Sequence, residues 1–342
     1  AWATAVLTDG RIVVAGTADA NLPAVSAIYV ARLESDGDLD PTFNMTRVVT
    51  TSIGLGSVGY GVDLQADGKI VVAGASTSPA TNADFTLVRY NADGSLDATF
   101  GVTGVVTTAI TTGEDTAFAV RLQPDGKIVA AGRSNDGTLT NLVAVARYES
   151  DGQLDTSFGN GGVYTKQIGT VSQALGVEVQ SDGKIVLTGS SGGPGFPPVQ
   201  TIMVSRLNSD GSLDSGFGMT GVVTTQVSLG DSTATDITID AGGSILVSGT
   251  GFRPGGSEFA VVRYAGDGSL DFTFGVSGVV TTDIAGGYDD ASWLDLQSDG
   301  KIVVGGAAFD LIFSQGDMAI ARYLGGPAIG LTEKIYLPNI IK

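Results

Sequence analysis

Arginine and aspartate sit eight residues apart in five places: Arg32 and Asp40, Arg89 and Asp97, Arg147 and Asp155, Arg206 and Asp214, and Arg263 and Asp271. At that spacing a guanidinium and a carboxylate can meet across a turn in a charge-assisted, bidentate pair. Each Asp can also cap the turn that follows it, through a Thr or Ser beside a Phe. Five identical copies fit a repeated structural staple better than catalysis, which needs one unique site. Arg322 lacks such a partner, because position 330 is Gly, and it needs another acceptor such as Glu333 or the terminal carboxylate.

A second constellation is Asn91-Ala92-Asp93-Gly94-Ser95-Leu96-Asp97. It places oxygens at alternate positions before a Gly, as calcium loops do, which makes Asn91, Asp93 and Asp97 the candidate metal ligands. It lacks the leading Asp and the downstream Glu of the helical loop motif, and an ordinary hairpin turn accounts for the same residues. Calcium is the one ion these turns suggest, and no other cofactor is implied. The chain contains no Cys and no His. That removes thiol nucleophiles, disulfides, thiolate or imidazole metal sites and Ser-His catalysis together. Gly192-Gly193-Pro194-Gly195 is not a phosphate loop, since neither a helical pattern nor a Lys follows it. Asn44-Met45-Thr46 is the one N-x-Thr/Ser glycosylation triplet, and it matters only in a host that makes the modification.

These residues recur because the elements that carry them recur. Gln123-Pro124-Asp125-Gly126-Lys127-Ile128-Val129-Ala130-Ala131-Gly132 is one of six copies of a unit. The others are anchored at Asp9-Gly10-Arg11, Asp67-Gly68-Lys69, Asp182-Gly183-Lys184, Gly242-Gly243-Ser244 and Asp299-Gly300-Lys301. Asp-Gly between β-prone runs is a hairpin signal, because both turn residues tolerate positive φ. The arginines at 32, 89, 147, 206, 263 and 322 lie 57, 58, 59, 57 and 59 residues apart. Four short strands in a period near 58 predict a β-propeller blade; a β-solenoid is the rival, but its coils are shorter. Strands such as Ile70-Val71-Val72-Ala73 are apolar on both faces, as expected for sheets covered on both sides. The expected fold is all-β: a single six-bladed propeller over residues 1–342. Its repeats run over about 1–51, 52–108, 109–165, 166–225, 226–282 and 283–323, followed by a closing segment at 324–342.

The pattern L-Q-x-D-G-K-I-V-V-A-G, then A-R-Y-N-x-D-G-S-L-D-x-x-F-G, then G-V-V-T-T resembles the bacterial delta-sixty repeat, a β-propeller family. Residues 122–132 and 145–165 carry it most closely, and it extends from about residue 3 to residue 323. The resemblance implies an exported or cell-surface bacterial protein and no assigned chemistry. Two copies depart from the pattern. Asp240-Ala241-Gly242-Gly243-Ser244 loses the turn Asp and the Lys, and Asn44-Met45-Thr46-Arg47 stands where other copies have glycines. The tail at Tyr336-Leu337-Pro338 is similar to the ends of exported proteins in filamentous green bacteria.

Five copies carry a Val-Val-Thr-Thr-like strand 16 residues after their Arg. The same step from Arg322 falls within Ile335–Ile341, and the first copy has no such strand before it. The C-terminal run is therefore expected to supply that strand and close the ring, with Pro338 at an edge or a bulge.

The loops at Thr17–Val25, Ala75–Ala83, Arg133–Asn141, Ser190–Val199, Thr250–Ser257 and Ala307–Gly316 differ most between copies. Several carry aromatics, and Phe196, Phe252, Phe309 and Phe313 are the candidate partner contacts. Packing within each loop is the alternative use of these rings.

The net charge of −18 argues against nucleic acid and against an anionic membrane surface. No apolar run is long enough to span a bilayer as a helix. Residue 1 lies where a repeat strand begins and no signal peptide is present, so a mature or trimmed form is expected. The expected role is a non-catalytic extracellular or cell-surface module, or a subunit of a cell-envelope assembly, binding a protein or glycan partner through the variable loops. The alternatives are a carbohydrate-binding propeller and a calcium-dependent hydrolase using axial carboxylates.

Overall fold

The structure is a computed structural model that describes residues 1–20, 25–78, 82–135, 137, 140–193, 199–309, 316–325 and 331–337. It is all-β, with six successive four-stranded antiparallel sheets, each drawn from one copy of the repeat. The first sheet holds β1 Ala3–Val6, β2 Ile12–Ala20, β3 Val25–Leu33 and β4 Val48–Thr51. The second holds β5 Gly56–Leu64, β6 Ile70–Thr77, β7 Ala83–Tyr90 and β8 Val105–Thr108. The third holds β9 Asp115–Leu122, β10 Ile128–Asn135, β11 Asn141–Tyr148 and β12 Val163–Lys166. The fourth holds β13 Ser172–Val179, β14 Ile185–Gly192, β15 Gln200–Leu207 and β16 Val222–Thr225. The fifth holds β17 Ser232–Ile239, β18 Ile245–Arg253, β19 Gly256–Tyr264 and β20 Val279–Thr282. The sixth holds β21 Tyr288–Leu296, β22 Ile302–Phe309, β23 Gly316–Tyr323 and β24 Leu331–Leu337. One parallel bridge, Ser257 to Tyr288, links the fifth sheet to the sixth.

The expected hairpins form at the Asp-Gly turns, where Gly10, Gly68, Gly126, Gly183 and Gly300 all have positive φ. The C-terminal run does form a strand. It is the fourth strand of the sixth sheet, with Ala321 opposite Lys334 and Ile320 opposite Ile335. It is not a strand preceding the first copy, whose sheet runs β1-β2-β3-β4. Copy six lacks the Leu-Asp-x-x-Phe-Gly segment, so β24 begins nine residues after Arg322, whereas β8 begins 16 after Arg89. Pro338 falls outside the described residues.

The chain divides into two compact units, residues 1–167 with 210–212, and residues 168–209 with 213–342. In the first unit, β5 packs across β1, β2 and β3, and β9 packs across β5, β6 and β7. In the second, β17 lies across β13, β14 and β15, and β21 across β17, β18 and β19. Strands covered on both sides explain the run of buried residues from Ile70 to Ser76 in β6. Val71, Phe85, Leu87, Phe100, Ile128 and Tyr148 form one of the resulting apolar layers in the first unit.

A repeated polar pair marks the ends of these layers. The Tyr90 hydroxyl meets Thr51 Oγ1 at 2.7 Å, and Tyr148 donates to Thr108 at 3.0 Å. Tyr264 donates to Thr225 at 2.8 Å and Tyr323 to Thr282 at 3.0 Å. Each ties the third strand of one sheet to the fourth strand of the sheet before it. Burial raises the phenols, Tyr90 and Tyr323 to about 12, against a smaller opposing effect of the threonine.

Candidate functional site

The five Arg–Asp pairs are present, and each does more than bridge its own turn. Arg Nε donates to Asp Oδ2 at 2.6 Å for Arg32–Asp40, and at 2.7 Å for Arg89–Asp97, Arg147–Asp155 and Arg263–Asp271. The Arg206–Asp214 distance is 2.8 Å. The pairing is not the fork-to-fork arrangement expected, because Oδ1 is taken elsewhere. It accepts the backbone N–H and hydroxyl of Thr42, Thr99, Ser157 or Thr273, and in the fourth copy the N–H of Gly216.

The remaining guanidinium nitrogens reach the next sheet. Arg32 Nη1 donates to the Ala92 carbonyl and Arg263 Nη1 to that of Gly325. Arg89 reaches Ser150 and Arg206 reaches Gly266, both at 2.5 Å. Each guanidinium also lies over the Phe three residues beyond its Asp, 4.5 to 5.0 Å from the ring centroid. The residue after that Phe donates its N–H to the turn Asp carbonyl of the next copy, as Asn44 does to Asp93 and Gly101 to Asp151. Leu-Asp-x-x-Phe-Gly is therefore a clamp between neighbouring sheets.

Burial alone would raise these carboxyls. The hydroxyl, backbone and cation contacts outweigh it and hold Asp40, Asp97 and Asp155 well below the ordinary Asp range, with Asp214 also lowered. A second cation contributes in four copies: Arg11 at 3.1 Å from Asp40, Lys69 at 3.3 Å from Asp97, Lys127 at 2.8 Å from Asp155 and Lys184 at 3.0 Å from Asp214. Ser244 stands at that position in the fifth copy. Lys301, whose copy has no clamp Asp, pairs with Asp299 instead.

The candidate calcium ligands lie in this same machinery. Asp93 Oδ1 accepts the N–H and hydroxyl of Ser95 at 2.9 and 2.7 Å. Asn91 Nδ2 donates to Ser95 Oγ at 2.9 Å, and Asp97 is the clamp acid of Arg89. Among the described residues no three acidic side chains gather as a metal cluster. Of the four candidate contact rings, Phe196 and Phe313 lie outside the described residues. Phe252 and Phe309 are half-buried, because β18 and β22 extend through them.

What the sequence did not single out is a row of rings on the first strands. Opposite the second strand, Gly59 pairs with Gly74 and Gly61 with Ala73, leaving Tyr60 as an extra residue on a bulge. Phe118 occupies the same bulge in β9, between Ala117 and Ala119. Trp2 precedes β1 at the corresponding position and donates its backbone N–H to the Ala15 carbonyl at 2.9 Å. The flanking residues are small because the first strands nearly touch. A Cβ on Gly61 would come within 3.0 Å of the Ala119 Cα.

That approach brings the bulged rings together. Trp2 and Tyr60 have centroids 6.0 Å apart with planes at 51°. Tyr60 and Phe118 are 5.2 Å apart, edge to face at 62°. Arg133, on β10, lies over Phe118 at 5.8 Å and has no carboxylate within ion-pair distance among the described residues. Trp2 is 67% exposed, and Tyr60, Phe118 and Arg133 are partly exposed. In the second unit the bulge position holds Leu175, Thr235 and Ser292. The sequence signal was the alternation Gly59-Tyr60-Gly61 and Ala117-Phe118-Ala119, which periodicity alone reads as ordinary strand.

Six sheets of this kind, each sealed to its neighbour within a unit by its first strand and its clamp, define a β-propeller. The chain belongs to the DUF5122 beta-propeller family, a domain of unknown function, which it matches over residues 7–43, 65–100, 123–158, 180–217, 243–274 and 297–325. The first five matches end on the clamp Phe of their copy. The fold is similar to that of a polysaccharide lyase, an ulvan lyase solved with -[GlcA(1-4)Rha3S]- bound. The TM-score is 0.53 at 10% identity, covering 96% of this chain and 82% of that one. A glucose dehydrogenase gives a TM-score of 0.51 at 12% identity, covering 89% of this chain and 92% of that one. At these identities the likeness is one of fold. No curated protein matches the chain.

Proposed function

We propose that this propeller is a non-catalytic recognition module working outside the cell or at its surface, and that the row Trp2, Tyr60 and Phe118 is its ligand surface. One contrast carries the reading. The buried charges recur copy after copy as clamps between sheets, whereas the row occurs in one unit, with Trp2 exposed and Tyr60 and Phe118 partly so. A catalytic site needs a charge arrangement that differs from its repeats, and all five clamp acids are paired with their own Arg in the same way. Exposed aromatics on a rigid scaffold suit binding, since they offer a large contact area with few rotatable bonds.

The test is an array of polysaccharides and purified envelope proteins probed with the whole chain and with the double variant Tyr60→Ala, Phe118→Ala. The chain should bind some members and leave polymer substrates uncleaved, and the variant should lose that binding while keeping its melting temperature within a few degrees. Binding unchanged in the variant, or release of reducing or unsaturated ends from a polysaccharide, would overturn the reading.

A further inference from the structure

We infer that the row binds an acidic polysaccharide, with successive sugar rings on Trp2, Tyr60 and Phe118 and a sugar carboxylate or sulfate on Arg133; this rests on the row being the ligand surface. Three observations point to that chemistry. First, the rings come from equivalent positions on consecutive repeats and step along the stacked first strands at 6.0 and 5.2 Å. The planes turn by 51° and 62° from ring to ring, so a ligand that offers one apolar face per unit and twists between units matches such a series. A peptide would instead call for pockets for alternate side chains or for backbone pairing at an open edge.

Second, Arg133 stands at the end of the row, held over Phe118, without an acidic partner among the described residues. The chain carries 36 Asp and Glu against 18 Lys and Arg, so a guanidinium left without a carboxylate here is notable. The corresponding residues of the other copies are Thr17, Ala75, Ser190, Thr250 and Ala307, so this cation is not part of the repeat pattern. A guanidinium over an aromatic face still has N–H groups to offer an anion. Third, the net charge of −18 opposes general adsorption of polyanions. An acidic chain would bind only where direct contacts outweigh that repulsion, and the row supplies both contact types in one place.

The experiment is isothermal titration of the whole chain with tetragalacturonate and with the same tetramer after carboxyl reduction. The acidic tetramer should bind roughly tenfold more tightly. Arg133→Gln should lose that preference and keep its affinity for the reduced tetramer. Trp2→Ala should weaken both, and its exposed position keeps the core undisturbed. Equal affinity for the two sugars, or an undiminished preference in Arg133→Gln, overturns the inference and leaves the row standing as a recognition surface. An acidic peptide that competes as well as the acidic tetramer overturns it as well. Binding to neither sugar overturns it too, and the array with the double variant decides separately whether the row binds anything else.

Discussion

Asp115 and Asp289 occupy the same place, the head of the first strand in the third and sixth sheets, and both are fully buried. Asp115 has all the donors it needs. Ile110 and Thr111 give it backbone N–H groups at 2.7 and 2.9 Å, and the hydroxyls of Thr111 and Ser134 approach at 3.0 and 2.5 Å. Asp289 receives the Ile284 N–H at 2.6 Å, but its Oδ1 has no partner. Both hydroxyl donors to that oxygen are gone. Ala285 stands where the third copy has Thr111. Ser134 lies opposite Asp115, and Ala308 lies opposite Asp289. Burial raises the Asp289 carboxyl above its ordinary value, only partly offset by the Ile284 N–H. A raised acid keeps its proton in the folded state at a pH where the unfolded chain has lost it. Stability therefore falls as pH rises from the unfolded value through the folded one. Ala308→Ser should supply one of the missing donors and stabilise the fold at neutral pH by about 1 kcal/mol. Urea midpoints at pH 7 and pH 4 should show the larger gain at pH 7. A variant no more stable than the parent would refute this account.

At the scale of elements, stability rests on how one sheet is seated on the next. Gly94 and Gly37 head equivalent hairpin turns with φ of +88° and +92°. A Cβ at Gly94 would meet the Phe43 ring of the preceding copy at 2.9 Å, whereas one at Gly37 would meet nothing within 4 Å. Both Ala variants incur the left-handed backbone penalty of about 1 kcal/mol. Gly94→Ala should cost about 1–3 kcal/mol beyond that, because it drives the clamp ring out of place. Equal losses in the two variants, read by chemical denaturation, would show that the Phe–Gly contact does not seat the sheets. The clamp Arg is sensitive for the same reason. Arg89→Lys keeps a charge near Asp97, but it cannot also reach Ser150 and cover Phe100. A loss of about 2 kcal/mol is expected, and a loss within 0.5 kcal/mol would contradict the clamp.

Across the whole molecule, the clamp acids set the response to acid. Asp40, Asp97, Asp155, Asp214 and Asp271 are all lowered relative to the ordinary Asp value. A lowered acid binds fewer protons folded than unfolded. Its contribution is complete above the unfolded pKa and is lost as pH falls from there through the folded value. Stability should hold from neutral pH down to about pH 5 and then fall steeply through and below pH 4. Asp155→Asn should start less stable and show a shallower fall, because one linked group is gone. A parallel fall in parent and variant would mean that other groups control the acid transition. Asp289 works in the opposite direction, so its contribution improves over the upper part of the same range.

The repeat made the architecture legible. The Asp-Gly turns, the period near 58 and the strands apolar on both faces each have a local cause, and together they allow only sheets stacked on sheets. The Arg–Asp spacing was legible too, because eight residues across a turn is a short-range geometry. Its further reach to the next sheet was not, since Ala92 lies 60 residues from Arg32. The fate of the C-terminal run was decided by pairing: omission of the clamp segment let it fold straight back on β23. The aromatic row was hidden for a related reason. Strand periodicity assigns a face by parity, and a bulge adds a residue that belongs to neither face. Trp2, Tyr60 and Phe118 are far apart in the chain and meet because bulges turn out Tyr60 and Phe118, and Trp2 leads into β1, where the first strands nearly touch. Sequence by itself determined the repeating unit, whose hydrogen bonds and turns are local. Tertiary structure decided which residues of different repeats share a surface, because that depends on how closely the sheets stack.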